Sequence, residues 1–370
     1  MIFYRDERYN FFEIFNENTG SLLRSNLIVS GKESSVPARL RTFPELIDVG
    51  IMGHCHAAYS NLCQSFGVDC YQNGHSYSSR NLSLESYKLI LEQCRRRVFQ
   101  IVLGGIGDPN KHENFDKILE LTRHENIIPN LTTSGFNLSD DEAQLISYYC
   151  GAVAVSFYSK LDKNFDETSM ITELAVKKLI NFGCKVNIHY VLSNTTINDA
   201  IYRLRKKKFP NGINAVIFLL YKPIGEGKID KVIDVTGYEY LTLLDTIESI
   251  DFDFRIGFDT CQSPALRRFC TTISQNTIES CEASRFSMYI GNDYRAYPCS
   301  FAYSNSCLNL NLNDISIQDA WDSFEFSSFR DRQEKMCFGC NIRNCSGCAL
   351  DNGVTICIKT TFANLYRDSI

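Results

Sequence analysis

Three cysteines near the N-terminus, Cys55, Cys63 and Cys70, share one segment that follows an apolar run ending at Met52. Three thiolates on one loop can hold three irons of a [4Fe–4S] cluster and leave the fourth iron open to an outside ligand. With His54 or His56 as a fourth ligand the segment also reads as a zinc site, although zinc usually takes close C-x2-C pairs, absent here. A second group lies near the C-terminus: Cys337-x2-Cys340-x4-Cys345-x2-Cys348, then Cys357. A zinc ribbon also has two C-x2-C pairs, but with ~15–20 residues between them. The four residues here leave no room for the ribbon's hairpin. Cys261, Cys270, Cys281, Cys299 and Cys307 form a looser third group, while Cys94, Cys150 and Cys184 stand alone in apolar contexts and read as inert buried thiols.

These thiols need a frame. Between residues 45 and 260, apolar strand-like runs at 46–52, 99–103, 127–133, 152–157, 186–192, 215–220 and 252–258 alternate with helical patterns. One helix starts after Ser83, a plausible N-cap, and carries Tyr87, Leu91 and Cys94; another opens on a Ser139/Glu142 capping box. Segments 172–182, 197–207 and 237–250 also read as helices. Strands alternating with helices predict a parallel sheet with right-handed crossovers, and six or seven such units predict a full or partial barrel. Active sites of such folds lie at the C-terminal ends of the strands. Beyond residue 260 the pattern changes to short strands, frequent turns and dense cysteines. Segments 286–290 and 295–298 read as a hairpin, and 317–324 as a short helix. Near the N-terminus, 11–15 and 22–24 around Asn18-Thr19-Gly20 suggest another hairpin, with no evident task.

The chain has 370 residues, 16 of them cysteine, with 44% hydrophobic and 22% charged residues and a net charge of −5. This length buries a proper core without staples, and the charge argues against a protein built to grip nucleic acid or an acidic membrane. The basic runs 95–97 and 205–208 sit at helix ends, where cations favour the dipole. No apolar run reaches the ~18 residues of a membrane span, and charges interrupt the N-terminus as no signal peptide would allow. A cytoplasmic location is expected, where thiols serve metal or redox chemistry rather than disulfides.

In this setting the first segment resembles the radical S-adenosylmethionine (SAM) superfamily, whose signature is a loop after the first strand with C-x3-C-x2-C and a following aromatic. Here the loop is C-x7-C-x6-C followed by Tyr71. Gly104-Gly105-Ile106-Gly107-Asp108-Pro109 resembles the family's GGEP turn, with the carboxylate moved from the third to the fifth position; read plainly, it is a tight strand-to-helix turn. Thr132-Thr133-Ser134-Gly135 is similar to the T-N-G turn, and Lys222-Pro223-Ile224-Gly225 to a P-x-G turn beside the adenine. Ser156 and Asn194 fall at the intervening strand ends. From Cys281 onward the chain resembles the SPASM extension: a cysteine, a hairpin through Gly291 ending in Pro298-Cys299, a helix with Trp321, the run of four cysteines and Cys357.

The resemblance implies an α/β fold, a partial (β/α)6-type TIM barrel over residues 43–260 followed by a small cysteine-rich SPASM-like domain over 261–370, with 1–42 as a hairpin-like segment. It implies SAM and three [4Fe–4S] clusters as cofactors. Cys55, Cys63 and Cys70 would hold the SAM-binding cluster. Cys337, Cys340, Cys345 and Cys357 would hold an outer auxiliary cluster. Cys281, Cys299 and Cys348 would hold an inner one, with Cys261 (preferred) or Cys270 as fourth ligand. Gly104, Gly105, Asp108, Thr133, Ser156, Asn194 and Pro223 would line the SAM site. Lys222 and Asp259 are the candidate acid or base, beside His189, although a structural role is the better expectation for each. The implied activity is cleavage of SAM to a 5′-deoxyadenosyl radical that abstracts a hydrogen atom from a peptide or protein, as in ribosomal-peptide maturases that epimerise, cross-link or splice. Sulfatase-maturase-like oxidation and a non-catalytic zinc-binding α/β protein are the alternatives. Expected partners are the substrate, a separate precursor-recognition protein and an electron donor such as flavodoxin or ferredoxin, with no nucleic acid and no membrane.

Overall fold

The structure, a computed structural model, describes residues 1–29, 32–33, 40–66, 68–158, 166–274, 277–303, 306–336 and 348–350. The chain opens with three antiparallel strands, β1 (Ile2–Asp6), β2 (Phe11–Asn16) and β3 (Ser21–Asn26), and a short pair, β4 (Ile28–Val29) and β5 (Lys32–Glu33). The repeating unit then runs β6 (Leu46–Gly50), α1 (Leu62–Ser65), α2 (Leu84–Cys94), β7 (Gln100–Gly104), α3 (Phe115–His124), β8 (Ile128–Thr133), α4 (Asp140–Tyr149), β9 (Val153–Ser156), α5 (Asp166–Asn181), β10 (Val186–Leu192), α6 (Ile197–Lys206), β11 (Ala215–Leu220), α7 (Tyr238–Ser249) and β12 (Arg255–Phe258). After α8 (Ser263–Phe269) come β13 (Ser287–Ile290), β14 (Arg295–Tyr297), β15 (Leu310–Asn311), α9 (Ile317–Asp322) and α10 (Phe324–Met336).

Strands β6 to β12 lie side by side in chain order, all parallel, as the strand–helix alternation predicts. The sheet does not close: β12 is one edge, and β13 adds in parallel to β6 at the other, pairing Tyr289 with Asp48. Strands β14 and β15 continue it antiparallel, so one sheet runs across the expected boundary at residue 260. The helix starts follow local chemistry. Ser83 caps α2 by accepting from Ser86 N–H, and Ser139 with Glu142 forms the capping box of α4. Helix α3, which starts just after His112-Glu113, buries Phe115, Ile118, Leu119 and Thr122.

Side-chain alternation separates the two faces of the sheet. Ile47, Val49, Ile101, Leu103, Val155 and Ile188 join the core under the helices. The opposite face carries Asp48, Gln100, Asn130, Ser156, Asn187 and His189, only half-buried. Parallel strands are normally apolar on both faces. A polar, incompletely filled interior is what a barrel needs to receive a polar ligand.

The N-terminal sheet closes the opposite end. Phe15 stacks on Phe99 at 5.3 Å, Tyr4 meets Phe99 edge-on at 6.4 Å, and Phe11 meets Phe286 at 6.4 Å. Lys185 Nζ donates to the carbonyls of Asn18 (3.2 Å) and Thr19 (3.3 Å). Phe99, Lys185 and Phe286 each immediately precede a strand, so this sheet sits on the N-terminal ends of β7, β10 and β13.

Candidate active site and cysteine clusters

The three N-terminal cysteines lie on the loop leaving the C-terminal end of β6, and each is held by a different strand end. Cys55 sits against the β7 turn: Gly107 has φ +66°, and a Cβ there would lie 2.6 Å from the His54 carbonyl and 3.1 Å from Cys55 Cα, so only glycine fits. Residues between Cys55 and Cys63 fill the wide spacing with structure. Ala57 and Leu62 bury against Tyr158, with Phe66 and Phe136 at the margin. Cys63 Sγ lies 3.1 Å from the Tyr158 hydroxyl, just beyond β9. The Cys70 carbonyl accepts from Glu226 N–H (2.9 Å), beyond β11. Next to it, Asp69 Oδ2 accepts from the Tyr221 hydroxyl (2.6 Å) and pairs with Lys231 Nζ (2.7 Å). Gly74 draws the ends of the loop together. Its N–H donates to Cys70 Sγ (3.1 Å), and a Cβ there would lie 3.0 Å from that sulfur and 3.4 Å from Cys55 Cβ.

Burial pushes all three thiols up, Cys63 to about 12, and the nearness of Cys55 and Cys70 adds to the rise at Cys63. Desolvated thiolates that repel one another become favourable around a cationic centre. His54 is exposed. His56 turns to Asp108, with Nε2 3.5 Å from Oδ2, and packs beside Phe136. Among the described residues no three His, Cys, Asp or Glu side chains converge on a single-ion position. Three thiols, with His54 exposed and His56 turned to Asp108, are the donor type of an iron–sulfur cluster. Both His56 ring nitrogens are buried without a hydrogen-bond partner, which suits a site that receives a further polar ligand.

The neighbouring strand ends carry the expected SAM-site residues. Gly104 ends β7, and Gly105 (φ +99°) lets the turn approach Tyr289 and Gln72, where a Cβ would lie 2.8 Å from the tyrosine oxygen. Asp108 is buried and accepts from Ser134 N–H and Oγ, both at 2.6 Å, which locks the β7 turn to the β8 turn. Burial raises its carboxyl pKa, opposed first by those Ser134 bonds. Thr133 Oγ1 donates to Asn110 Oδ1 (3.0 Å) and accepts from Gly135 N–H (3.1 Å). Ser156 ends β9 on the interior face, its carbonyl accepting from Thr172 Oγ1 at 3.3 Å. Asn194 is exposed and donates to the Asp230 carbonyl. Pro223 is half-buried in the turn that Gly225 (φ +64°) presses onto Cys70. His189 lies inside the barrel, where burial lowers its pKa to about 4 and keeps the ring neutral.

A second thiol group gathers on the C-terminal side. Burial raises the Cys281 thiol, and Cys261, Cys299 and Cys348 each raise it further; Cys348 and Cys261 act likewise on Cys299, whose pKa reaches about 12. Gln333 Nε2 points at Cys281 Sγ from 3.5 Å. Cys270 lies apart, its thiol influenced by burial and then Glu248. The structure thus brings Cys261, not Cys270, to Cys281, Cys299 and Cys348. Lys222 and Asp259 meet beside this group, Nζ to Oδ2 at 3.4 Å. Cys337, Cys340, Cys345 and Cys357 lie outside the described residues.

Sequence reasoning passed over Tyr158, Gly74, Glu226 and Asp48. The Asn73-Gly74 pair was the one local signal, a turn marker just after Cys70. The others come from distant segments and carry no motif. Asp48 faces the interior from β6, and burial with Glu282 nearby pushes its carboxyl up to about 7.

Solved structures share this fold. SuiB of Streptococcus suis bound to S-adenosylmethionine matches with a TM-score of 0.62 at 16% identity, over 82% of this chain and 72% of that one. SuiB bound to its precursor peptide SuiA matches at 0.60 and 17% identity, over 82% and 71%. Native anSMEcpe with bound AdoMet matches at 0.55 and 17% identity, over 77% and 83%. No protein-family model matches the chain, and no curated protein matches it by sequence. At these identities the likeness is one of architecture: the chain has the open α/β barrel that those SAM-bound proteins share.

Proposed function

We propose that this chain is a radical SAM enzyme that modifies a peptide or protein. The observation that carries the reading is the trio Cys55, Cys63 and Cys70 at the mouth of the barrel, each fixed by a different strand end, beside the glycine turn 104–107. Their thiolates would hold three irons of a [4Fe–4S] cluster and leave one for the amino and carboxylate groups of SAM. When bound, that cluster supplies the electron that splits SAM into methionine and a 5′-deoxyadenosyl radical, which takes a hydrogen atom from the substrate. The chain's own residues do the positioning. Gly104 and Gly105 allow the β7 turn close to the methionine part of SAM. Thr133, Ser156 and Pro223 sit at the strand ends around it. Substrate seated in the barrel interior would displace water from it and bring its carbon near the radical.

A peptide substrate is supported by the shared architecture with SuiB, solved with precursor peptide SuiA, and with anSMEcpe, solved with Cp18Cys peptide. Epimerisation, cross-linking and backbone splicing remain the specific modifications to separate. Two auxiliary clusters on the C-terminal cysteines, fed by a flavodoxin or ferredoxin, complete the reading. The test is anaerobic purification followed by incubation with SAM and dithionite. Brown protein absorbing near ~400 nm, with about twelve irons per chain, is expected, together with 5′-deoxyadenosine release. Colourless protein that holds only zinc overturns the reading. A short precursor peptide encoded beside the gene, changed in mass on incubation, would identify the substrate class.

A further inference from the structure

We propose that Lys222 sets the reduction potential of the cluster held by Cys261, Cys281, Cys299 and Cys348, rather than serving as an acid or base toward the substrate. The inference rests on the iron–sulfur reading of those four thiols. Lys222 follows β11, and its side chain is 1% exposed. Its ammonium lies 3.9 Å from the Phe301 ring centroid and 3.4 Å from both the Leu220 carbonyl and Asp259 Oδ2. Cys261 and Cys348 are its thiol neighbours. Phe301 in turn packs on Tyr71, 5.0 Å between centroids, and Tyr71 directly follows Cys70. The Tyr71–Phe301 pair is therefore a wall between the two thiol groups, with Lys222 on the C-terminal side of it.

The partner of Lys222 is held on both of its oxygens. Asp259 Oδ2 also accepts from Leu220 N–H (3.0 Å), and Oδ1 accepts from Gln262 Nε2 (3.0 Å). This carboxylate holds β11 to β12 and anchors the ammonium. A dry, fixed positive charge beside a cluster acts on its redox equilibrium. Cys261, Cys281, Cys299 and Cys348 would hold a cluster able to accept one electron from reduced flavodoxin or ferredoxin, which would be oxidised by one electron, with no bond to carbon or hydrogen changed. The reduced cluster carries one more negative charge, so a nearby ammonium favours it and raises the potential.

The test is an anaerobic potentiometric titration of the reconstituted full chain, followed by electron paramagnetic resonance, with Cys55, Cys63 and Cys70 all changed to Ala to silence the mouth. The component that disappears in Cys281→Ala is the one read. Lys222→Met, which keeps the packing on Phe301, is expected to hold its iron and shift that component to lower potential; Lys222→Arg should stay near the parent. Retained iron with an unchanged potential in Lys222→Met overturns the role of Lys222. If Lys222→Met loses the component, Asp259→Asn decides: removing the counter-charge should move the potential upward, and no shift or a downward one overturns the proposal. Iron and signals untouched by Cys281→Ala overturn the ligand reading itself, a different failure from either of these.

Discussion

The two ends of this barrel solve opposite problems with polar residues. At the floor, buried arginines are bound by carboxylates and main-chain carbonyls. Arg41 is 0% exposed, pairs with Glu13 at 2.9 Å, and donates to the carbonyls of Phe43 (3.0 Å), Pro44 (2.9 Å) and Arg97 (2.6 Å). Arg24 joins Glu13 (3.0 Å) and Glu45 (2.9 Å). At the mouth, three thiols crowd together, and His56 makes no hydrogen bond, its Nε2 standing 3.5 Å from Asp108 Oδ2. Opposite charges in contact hold the floor together, whereas crowded, desolvated thiols at the mouth gain from a cationic centre. The comparison predicts that floor substitutions cost stability and leave chemistry intact, while mouth substitutions do the reverse.

The sharpest way to break this contrast is at the thiols. Cys55→Ala, Cys63→Ala and Cys70→Ala should each reduce 5′-deoxyadenosine release to background, measured by chromatography, while thermal unfolding of the metal-free chain barely moves. Turnover surviving in all three would place the reactive cluster elsewhere. The floor gives the next largest effect. Arg41→Ala leaves Glu13 with Arg24 alone and three main-chain carbonyls without this donor, a loss of about 3–5 kcal/mol, visible in the denaturant midpoint. The protein that remains folded should cleave SAM at the parent rate. A normal midpoint with impaired cleavage would reverse the roles of the two ends.

Gly74→Ala tests the mouth more finely. The added methyl would press on Cys70 Sγ and Cys55 Cβ, at 3.0 and 3.4 Å, with every ligand retained. Iron held at the mouth should drop several-fold, read by metal analysis in a chain with Cys281 and Cys337 changed to Ala to remove both auxiliary clusters, while the secondary structure stays intact by circular dichroism. Undiminished iron would mean that the cradle between these sulfurs is wider than the loop geometry implies.

The barrel was legible because its signals are local. Alternation marks β10 within a single run, Ser139 and Glu142 announce α4 three residues apart, and the cysteines declare a metal-type chemistry by composition. The contacts that aim those cysteines were not legible. Tyr158 meets Cys63 across 95 residues of chain, and Glu226 meets His75 across 151. Nor could the pairing of β13 with β6 be read, since it joins residues near 288 to residues near 48 with no motif in either. The interior polarity was present in the sequence as Asp48, Asn130 and His189, but apolar neighbours on the outer face dominate each strand's pattern.

Asp48 lies between the two ends and tests the contrast most gently. Unlike the floor carboxylates it pairs with no cation among the described residues, and burial first, then Glu282, pushes its carboxyl from 3.8 to about 7. The folded chain therefore keeps a proton on Asp48 that the unfolded chain releases near pH 4. Stability falls as pH rises from about 4 to about 7 and stays lower above that. Asparagine carries no such penalty. Asp48→Asn should be more stable than the parent at pH 8, on the order of 1–3 kcal/mol, with the gain fading below pH 4 in denaturant titrations. A gain that does not depend on pH would mean that Asp48 is already paired in the parent and belongs with the floor. A pH-dependent gain that disappears when a peptide carrying a cationic side chain is added to the parent would place it with the mouth, as a group waiting for its substrate.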